Sequence, residues 1–401
     1  MNHDNHERVV EPGSEPSPEQ APLVLRVSED VPPAPTSAAS ATPPRAKKPA
    51  PGLIESIGWC VFFLLVQIVA LLAVVGIDLA VCTARAPDPS SFIQEQLKGF
   101  SDAAAPNAEK NAAFPAVLGY AIAWGMLIAQ YCSIVVILAV VPWRVGKDWP
   151  RQLGFRKPAL LHVFLVILLV PAFMTLASGI EELMKLLTGF SAPSTDKTLQ
   201  GTFVAFPWFL TFLAVGLGPG LVEETWCRGF IGRGLSARYG LVVGVLVTSI
   251  FFGLLHADLA YAAIAACMGV GLHLVFLAAR SLWISILLHT LNNEAAVLLT
   301  LYGSSDRMNP GAAIETAGVY AAAVALAASV GIAFWTSRAR IVPDQGTLAE
   351  WLEKTPWRPE YPGVSAPPPG SGARLESGRV SRIALVLAIF SFAVLMYLIA
   401  F

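Results

Sequence analysis

The 401-residue chain is 55% hydrophobic and only 14% charged, where a soluble domain carries about 25% charged residues. Its mean hydropathy is +0.61, which argues against a soluble globular class and for an all-α polytopic membrane protein. The formal net charge of -1 provides no basic footprint for nucleic acid, so no nucleic-acid partner is expected.

Residues 1–50 are rich in Pro, Ser, Ala and Glu without sustained periodicity, which predicts a disordered cytoplasmic tail. A transmembrane core is expected over 51–336. Stretches near the roughly 20 residues needed to cross a bilayer are predicted at 53–82, 115–142, 159–188, 203–222, 241–257, 260–279, 282–302 and 313–336. A polar segment, 337–382, follows with the patch Ala366-Pro367-Pro368-Pro369-Gly370 and reads as a linker. One more apolar run, 383–401, then reads as a C-terminal transmembrane helix appended to an eight-helix core. The first apolar run begins near residue 53, so no cleavable signal peptide is expected. Cys60, Cys82, Cys132, Cys227 and Cys267 lack C-x-x-C spacing and read as packing residues rather than a disulfide or zinc framework.

With nine spans and the N-terminus inside, nineteen Lys and Arg fall on internal segments and six on external ones. That bias supports a cytoplasmic N-terminus and an external C-terminus. No internal repeat of the transporter kind is visible.

Against this apolar background, Glu223, Glu224, Arg228, His256, His289 and Asn293 stand out. An ionisable group near the bilayer centre costs roughly 2.5–3.5 kcal/mol even on lenient scales, and such groups tend to be functional. Arg228 follows Glu224 by four residues, so the two can pair on one helix face. Glu223 is turned about 100° away and left without that partner, which suits a general base. A structural ion pair at a helix end is the plain alternative. Glu181-Glu182-Leu183-Met184-Lys185 is a superficially similar group, but it sits near the outer end of its span and reads as a solvated helix end.

Phe252 and His256, four apart, share a face. A hairpin turning at Tyr239-Gly240 puts the Glu pair and His256 level, each about 24 Å from the turn. This requires the Glu-bearing helix to continue beyond residue 222. His289 and Asn293 are also four apart and could together donate to an oxyanion, or simply bond neighbouring helices. Straight helices would leave His256 close to the outer turn and His289 only about 13 Å from the inner turn near Arg280. A tilt or a helix break is needed to bring them together, and Gly216-Leu217-Gly218-Pro219-Gly220 is the obvious place for a break. His162 and His273 have no such companion and are assigned to packing or local bonding.

Glu-Glu-x-x-x-Arg at 223–228, Phe-x-x-x-His at 252–256 and His-x-x-x-Asn at 289–293 occur in that order on successive segments. The set resembles the CPBP family, which comprises type II CAAX prenyl proteases and bacterial proteins linked to bacteriocin processing or self-immunity, also called Abi proteins. The resemblance covers about residues 160–302. It implies an eight-helix intramembrane endopeptidase core, a hydrolase acting on a membrane-associated peptide or protein, including CAAX-type prenylated ones. By the same resemblance, Glu223 with His256 activates the attacking water and His289 with Asn293 stabilises the oxyanion. Glu224, Arg228 and Phe252 support them. No H-E-x-x-H is present, although Glu223, His256 and His289 could ligate a divalent metal such as zinc. A metal-independent mechanism is favoured slightly. The expected location is an integral, multi-pass membrane protein, in the plasma membrane if the source is bacterial. A non-catalytic membrane immunity or scaffold protein that keeps the polar cluster for packing is the alternative.

Overall fold

The computed structural model describes residues 51–104, 115–189, 201–204, 206–256, 259–302 and 313–400. The tail expected over 1–50 lies outside them. Five helices open the described chain: α1 (Leu53–Arg85), α2 (Pro89–Ala104), α3 (Ala116–Val145), α4 (Trp149–Leu153) and α5 (Leu160–Thr188). A continuous helical run over 208–239, here α6, carries the Glu pair. Then come α7 (Leu241–Leu254), α8 (Leu259–Ala279), α9 (Leu282–Tyr302) and α10 (Ala313–Ser337). A strand β1 (Ala339–Pro343), helix α11 (Leu348–Lys354), strand β2 (Ala373–Ser377) and helix α12 (Arg382–Ala400) complete it.

Seven of these helices, α1, α3, α5, α8, α9, α10 and α12, are long and apolar enough to cross a membrane. The chain is a multi-pass integral membrane protein. The other two expected spans take different forms. Of the stretch 203–222, residues 208–222 are absorbed into α6, whose remainder carries Glu223, Glu224, Arg228, Arg233 and Arg238. The stretch 241–257 becomes the 14-residue α7, which at 1.5 Å per residue is about 21 Å long and shorter than a roughly 30 Å hydrocarbon core.

The run α6 is not uniformly α-helical. Phe212–Leu217 and Thr225–Ile231 are π-helical, on either side of the α-helical Gly218–Glu224. Gly218 N–H bonds the Leu213 carbonyl and Gly232 N–H the Cys227 carbonyl, five residues back in each case. The glycine-rich stretch at 216–220 therefore does not break the helix, contrary to expectation. Its glycines permit close approach instead. A Cβ at Gly216 would overlap the Glu294 carboxylate, and one at Gly220 would overlap the Thr290 hydroxyl. Both neighbours lie on α9, so missing side chains bring α6 and α9 together, as small residues do between membrane helices.

Aromatic packing fixes the other side of α6. Trp226 stacks on Phe63 of α1 with centroids 5.1 Å apart, and Trp59 packs edge-on against Trp226 and Phe230. These rings lie within the main apolar core, with Leu165, Phe173, Leu272 and Leu288. The chain reverses at Gly240, whose φ of +86° is strained for any residue with a Cβ. Helix α7 thus runs back along α6.

The polar stretch 337–382, expected as a linker, carries an ordered ribbon. Strands β1 and β2 pair antiparallel, with Ile341 opposite Leu375. Thr347 and Glu350 form a capping box at the start of α11. Trp351, Tyr361 and Val364 are buried. The all-α class describes the membrane helices, and this two-stranded ribbon is added to them.

Candidate active site

Glu224 and Arg228 project from α6 on the side away from Trp226 and Phe230, and both are completely buried. Arg228 Nη1 donates to Glu224 Oε1 at 2.7 Å. Its Nη2 donates to the Gly269 carbonyl of α8 at 3.1 Å, and its guanidinium lies 4.0 Å from the centre of the Phe252 ring. A buried ion pair is tolerable only when further hydrogen bonds complete it, and here a carbonyl and an aromatic face do so.

His289 of α9 reaches the same carboxylate. Its Nδ1 lies 3.0 Å from Glu224 Oε1. A carboxylate oxygen only accepts, so Nδ1 carries a proton; Nε2 accepts while it is unprotonated and donates once it carries a second proton. That Nε2 lies 4.0 Å from Glu223 Oε2. Glu223 Oε2 is buried and has no hydrogen-bond partner among the described residues. Two acceptors facing each other beyond hydrogen-bond distance suit a proton-bearing group between them. Glu223, Glu224, Arg228, Phe252 and His289 thus form one connected cluster on three helices.

His256 and Asn293 make their own hydrogen bonds to backbone carbonyls. Helix α7 ends at Leu254, and His256 lies in the following turn, its N–H bonded to the Gly253 carbonyl. Arg228 and Phe252 are each twelve residues from Gly240, so Phe252 is the α7 side chain that meets the ion pair. His256 packs edge-on against Phe252, with centroids 5.1 Å apart. His289 packs edge-on against the same ring at 5.5 Å, so both imidazoles share Phe252 as a neighbour. His256 Nδ1 lies 3.0 Å from the Phe252 carbonyl and must donate to it, which leaves Nε2 as an acceptor. Asn293 Nδ2 donates to the Val215 carbonyl in the first π-helical stretch at 3.0 Å. An amide carries two N–H bonds, so one remains to be offered elsewhere.

Among the described residues no three His, Cys, Asp or Glu side chains gather as a metal-ligand set. Glu223, His256 and His289 therefore do not fit the zinc site that their residue types allow. The other two described histidines bond to residues distant in sequence. His162 Nε2 lies 3.2 Å from Ser337, and His273 Nε2 lies 3.1 Å from Tyr361 Oη.

Two residues at the site escaped the sequence reading. Glu294 follows Asn293 and lays its carboxylate against Gly216. An acidic residue within an apolar span was signal enough to find it. Tyr361, fully buried beside Arg228, had no local signal, because it lies in a polar stretch far along the chain.

No curated protein and no solved structure matches this chain. A family model described as Type II CAAX prenyl endopeptidase Rce1-like matches residues 205–295. That stretch contains Glu223, Glu224, Arg228, Phe252, His256, His289 and Asn293. Over residues 205–295 the chain is therefore similar to the Rce1-like, type II CAAX prenyl endopeptidases of the CPBP family.

Proposed function

We propose that the protein is an intramembrane endopeptidase that hydrolyses a peptide bond of a membrane-associated protein or peptide, with lipid-modified CAAX-type termini as one substrate class. The observation that carries this reading is the unpartnered Glu223 Oε2 facing His289 Nε2 at 4.0 Å, with Glu224 and Arg228 fixing the imidazole from behind.

In this mechanism Glu223 takes a proton from a water molecule and the resulting hydroxide adds to the scissile carbonyl carbon. The carbonyl π electrons move onto oxygen. His289 enters the cycle with a proton on each ring nitrogen, the second taken up from bulk water. It donates from Nε2 to that oxyanion without losing the proton, and is held at Nδ1 by Glu224. Asn293 donates its second N–H to the same oxygen. His256, with Nδ1 held by the Phe252 carbonyl, keeps Nε2 available to orient the incoming water. Collapse of the tetrahedral intermediate breaks the C–N bond. Glu223 returns its proton to the leaving amine, and a carboxylate and an amine are released.

The test is cleavage of a lipid-anchored peptide by purified protein in proteoliposomes, run in ¹⁸O-labelled water. Two product fragments are expected, with the label in the new carboxylate. Glu223→Ala and His256→Ala are expected to insert normally and to yield no product. Full cleavage by either variant contradicts the assignment of that residue.

A further inference from the structure

The π-helical register beneath the Glu pair has a partner outside the family-matched stretch. In an α-helix Gly232 N–H would bond the Arg228 carbonyl. Here it bonds the Cys227 carbonyl instead, and Tyr361 Oη donates to the Arg228 carbonyl at 2.8 Å. The hydroxyl has one proton, so His273 Nε2, 3.1 Å away, donates to the same oxygen. Tyr361 is fully buried, and burial pushes its phenol far above the usual range, so the group remains a neutral donor. Gly232 makes room for it, because a Cβ there would stand 2.8 Å from Tyr361 Oη.

Tyr361 is clasped in place. Its own N–H bonds Ser365 Oγ at 2.8 Å, and the neighbouring Glu360 pairs with Arg233 of α6. Three arginines, Arg151 within α4, Arg156 just after it and Arg280 before α9, donate to the backbone just beyond it. Arg156 reaches the Val364 carbonyl at 2.5 Å, Arg280 the Ser365 carbonyl at 3.0 Å and Arg151 the Pro367 carbonyl at 2.6 Å. Burial, then the charges of Arg280 and Arg151, brings the Arg156 pKa down to about 10, so it remains charged at neutral pH. Arg280 adopts a left-handed φ of 49°, uncommon outside glycine. A passive tether needs none of these contacts.

We propose that Tyr361 is a positioning residue: its hydroxyl holds the π register of the helix bearing Glu223, so that the segment 337–382 braces the site from outside the matched region. Without the hydroxyl, Gly232 N–H can return to the Arg228 carbonyl and turn the Glu pair relative to His289. The kinetic part of this inference rests on the proteolytic reading.

The test uses the full chain in proteoliposomes, comparing wild type with Tyr361→Phe and, independently, Gly232→Ala. Turnover of the lipid-anchored peptide and amide hydrogen exchange are read on the same preparations. Both variants are expected to raise exchange about tenfold over 225–232, the effect of losing one buried hydrogen bond, with α8 unchanged. They are also expected to lower kcat about tenfold while KM stays within twofold. Unchanged exchange over 225–232 in Tyr361→Phe overturns the brace, as does an equal rise across all helices, or wild-type kcat despite faster local exchange. Should the wild type cleave nothing, the proteolytic reading fails alone, and the exchange data still decide the brace.

Discussion

His289 holds Glu224 with one ring nitrogen at 3.0 Å and faces the neighbouring Glu223 with the other at 4.0 Å. Adjacent carboxylates on one helix therefore occupy different chemical situations. Glu224 Oε1 accepts from both Arg228 and His289, whereas Glu223 is bonded by neither; the second oxygen of Glu224, like Oε2 of Glu223, has no partner among the described residues. The first is built to position, the second to react.

Removing the ion-paired carboxylate strands a charge. Glu224→Ala leaves Arg228 buried without its anion and is expected to destabilise the protein by about 3–5 kcal/mol. Thermal unfolding in detergent checks this. The double substitution Glu224→Ala/Arg228→Met is expected to recover most of the loss without restoring cleavage. A Glu224→Ala protein as stable as wild type contradicts the buried pair.

Asn293 is expected to split stability from rate. Its bond to the Val215 carbonyl is an interhelical contact worth about 0.6 kcal/mol, so Asn293→Ala should melt only slightly earlier. Loss of an oxyanion donor lowers kcat by about 10²–10³. A small change in both quantities would reduce Asn293 to a packing residue.

Close approach of α6 and α9 depends on Gly220. Because a Cβ there overlaps the Thr290 hydroxyl, Gly220→Val is expected to cost about 1–3 kcal/mol by overpacking. Pairing it with Thr290→Ala should recover part of that loss in the same melting assay. Absence of recovery would mean that the contact is not the cause.

Chelation tests the donor geometry. No three metal-binding side chains gather among the described residues, so cleavage is expected to survive prolonged EDTA treatment and dialysis. Loss with EDTA and return with added zinc would require a rearranged site.

Much of this arrangement could be read from residue spacing. The i,i+4 interval of Glu224 and Arg228 is one of contact, and Gly240 is the turn of the hairpin. The helix continues past residue 222, as a level hairpin needs. What spacing could not supply was the π register. It depends on which distant donors meet the helix carbonyls, Asn293 at Val215 and Tyr361 at Arg228. Periodicity within α6 contains neither. For the same reason a break was expected at 216–220: Gly and Pro punctuate a helix locally, but here the glycines answer to α9. Helix α7 ends at Leu254, three residues short of the expected span, and His256 lies in the tightened turn beyond it.

The most direct measurement is single-turnover cleavage of a lipid-anchored peptide by Glu223→Gln protein in proteoliposomes, beside wild type at matched insertion. The amide keeps the shape of the side chain and removes its basicity, so the rate is expected to fall by about 10²–10⁴ with peptide binding and melting temperature unchanged. Cleavage within about twofold of wild type would show that the unpartnered carboxylate is not the base, and the central claim would fail.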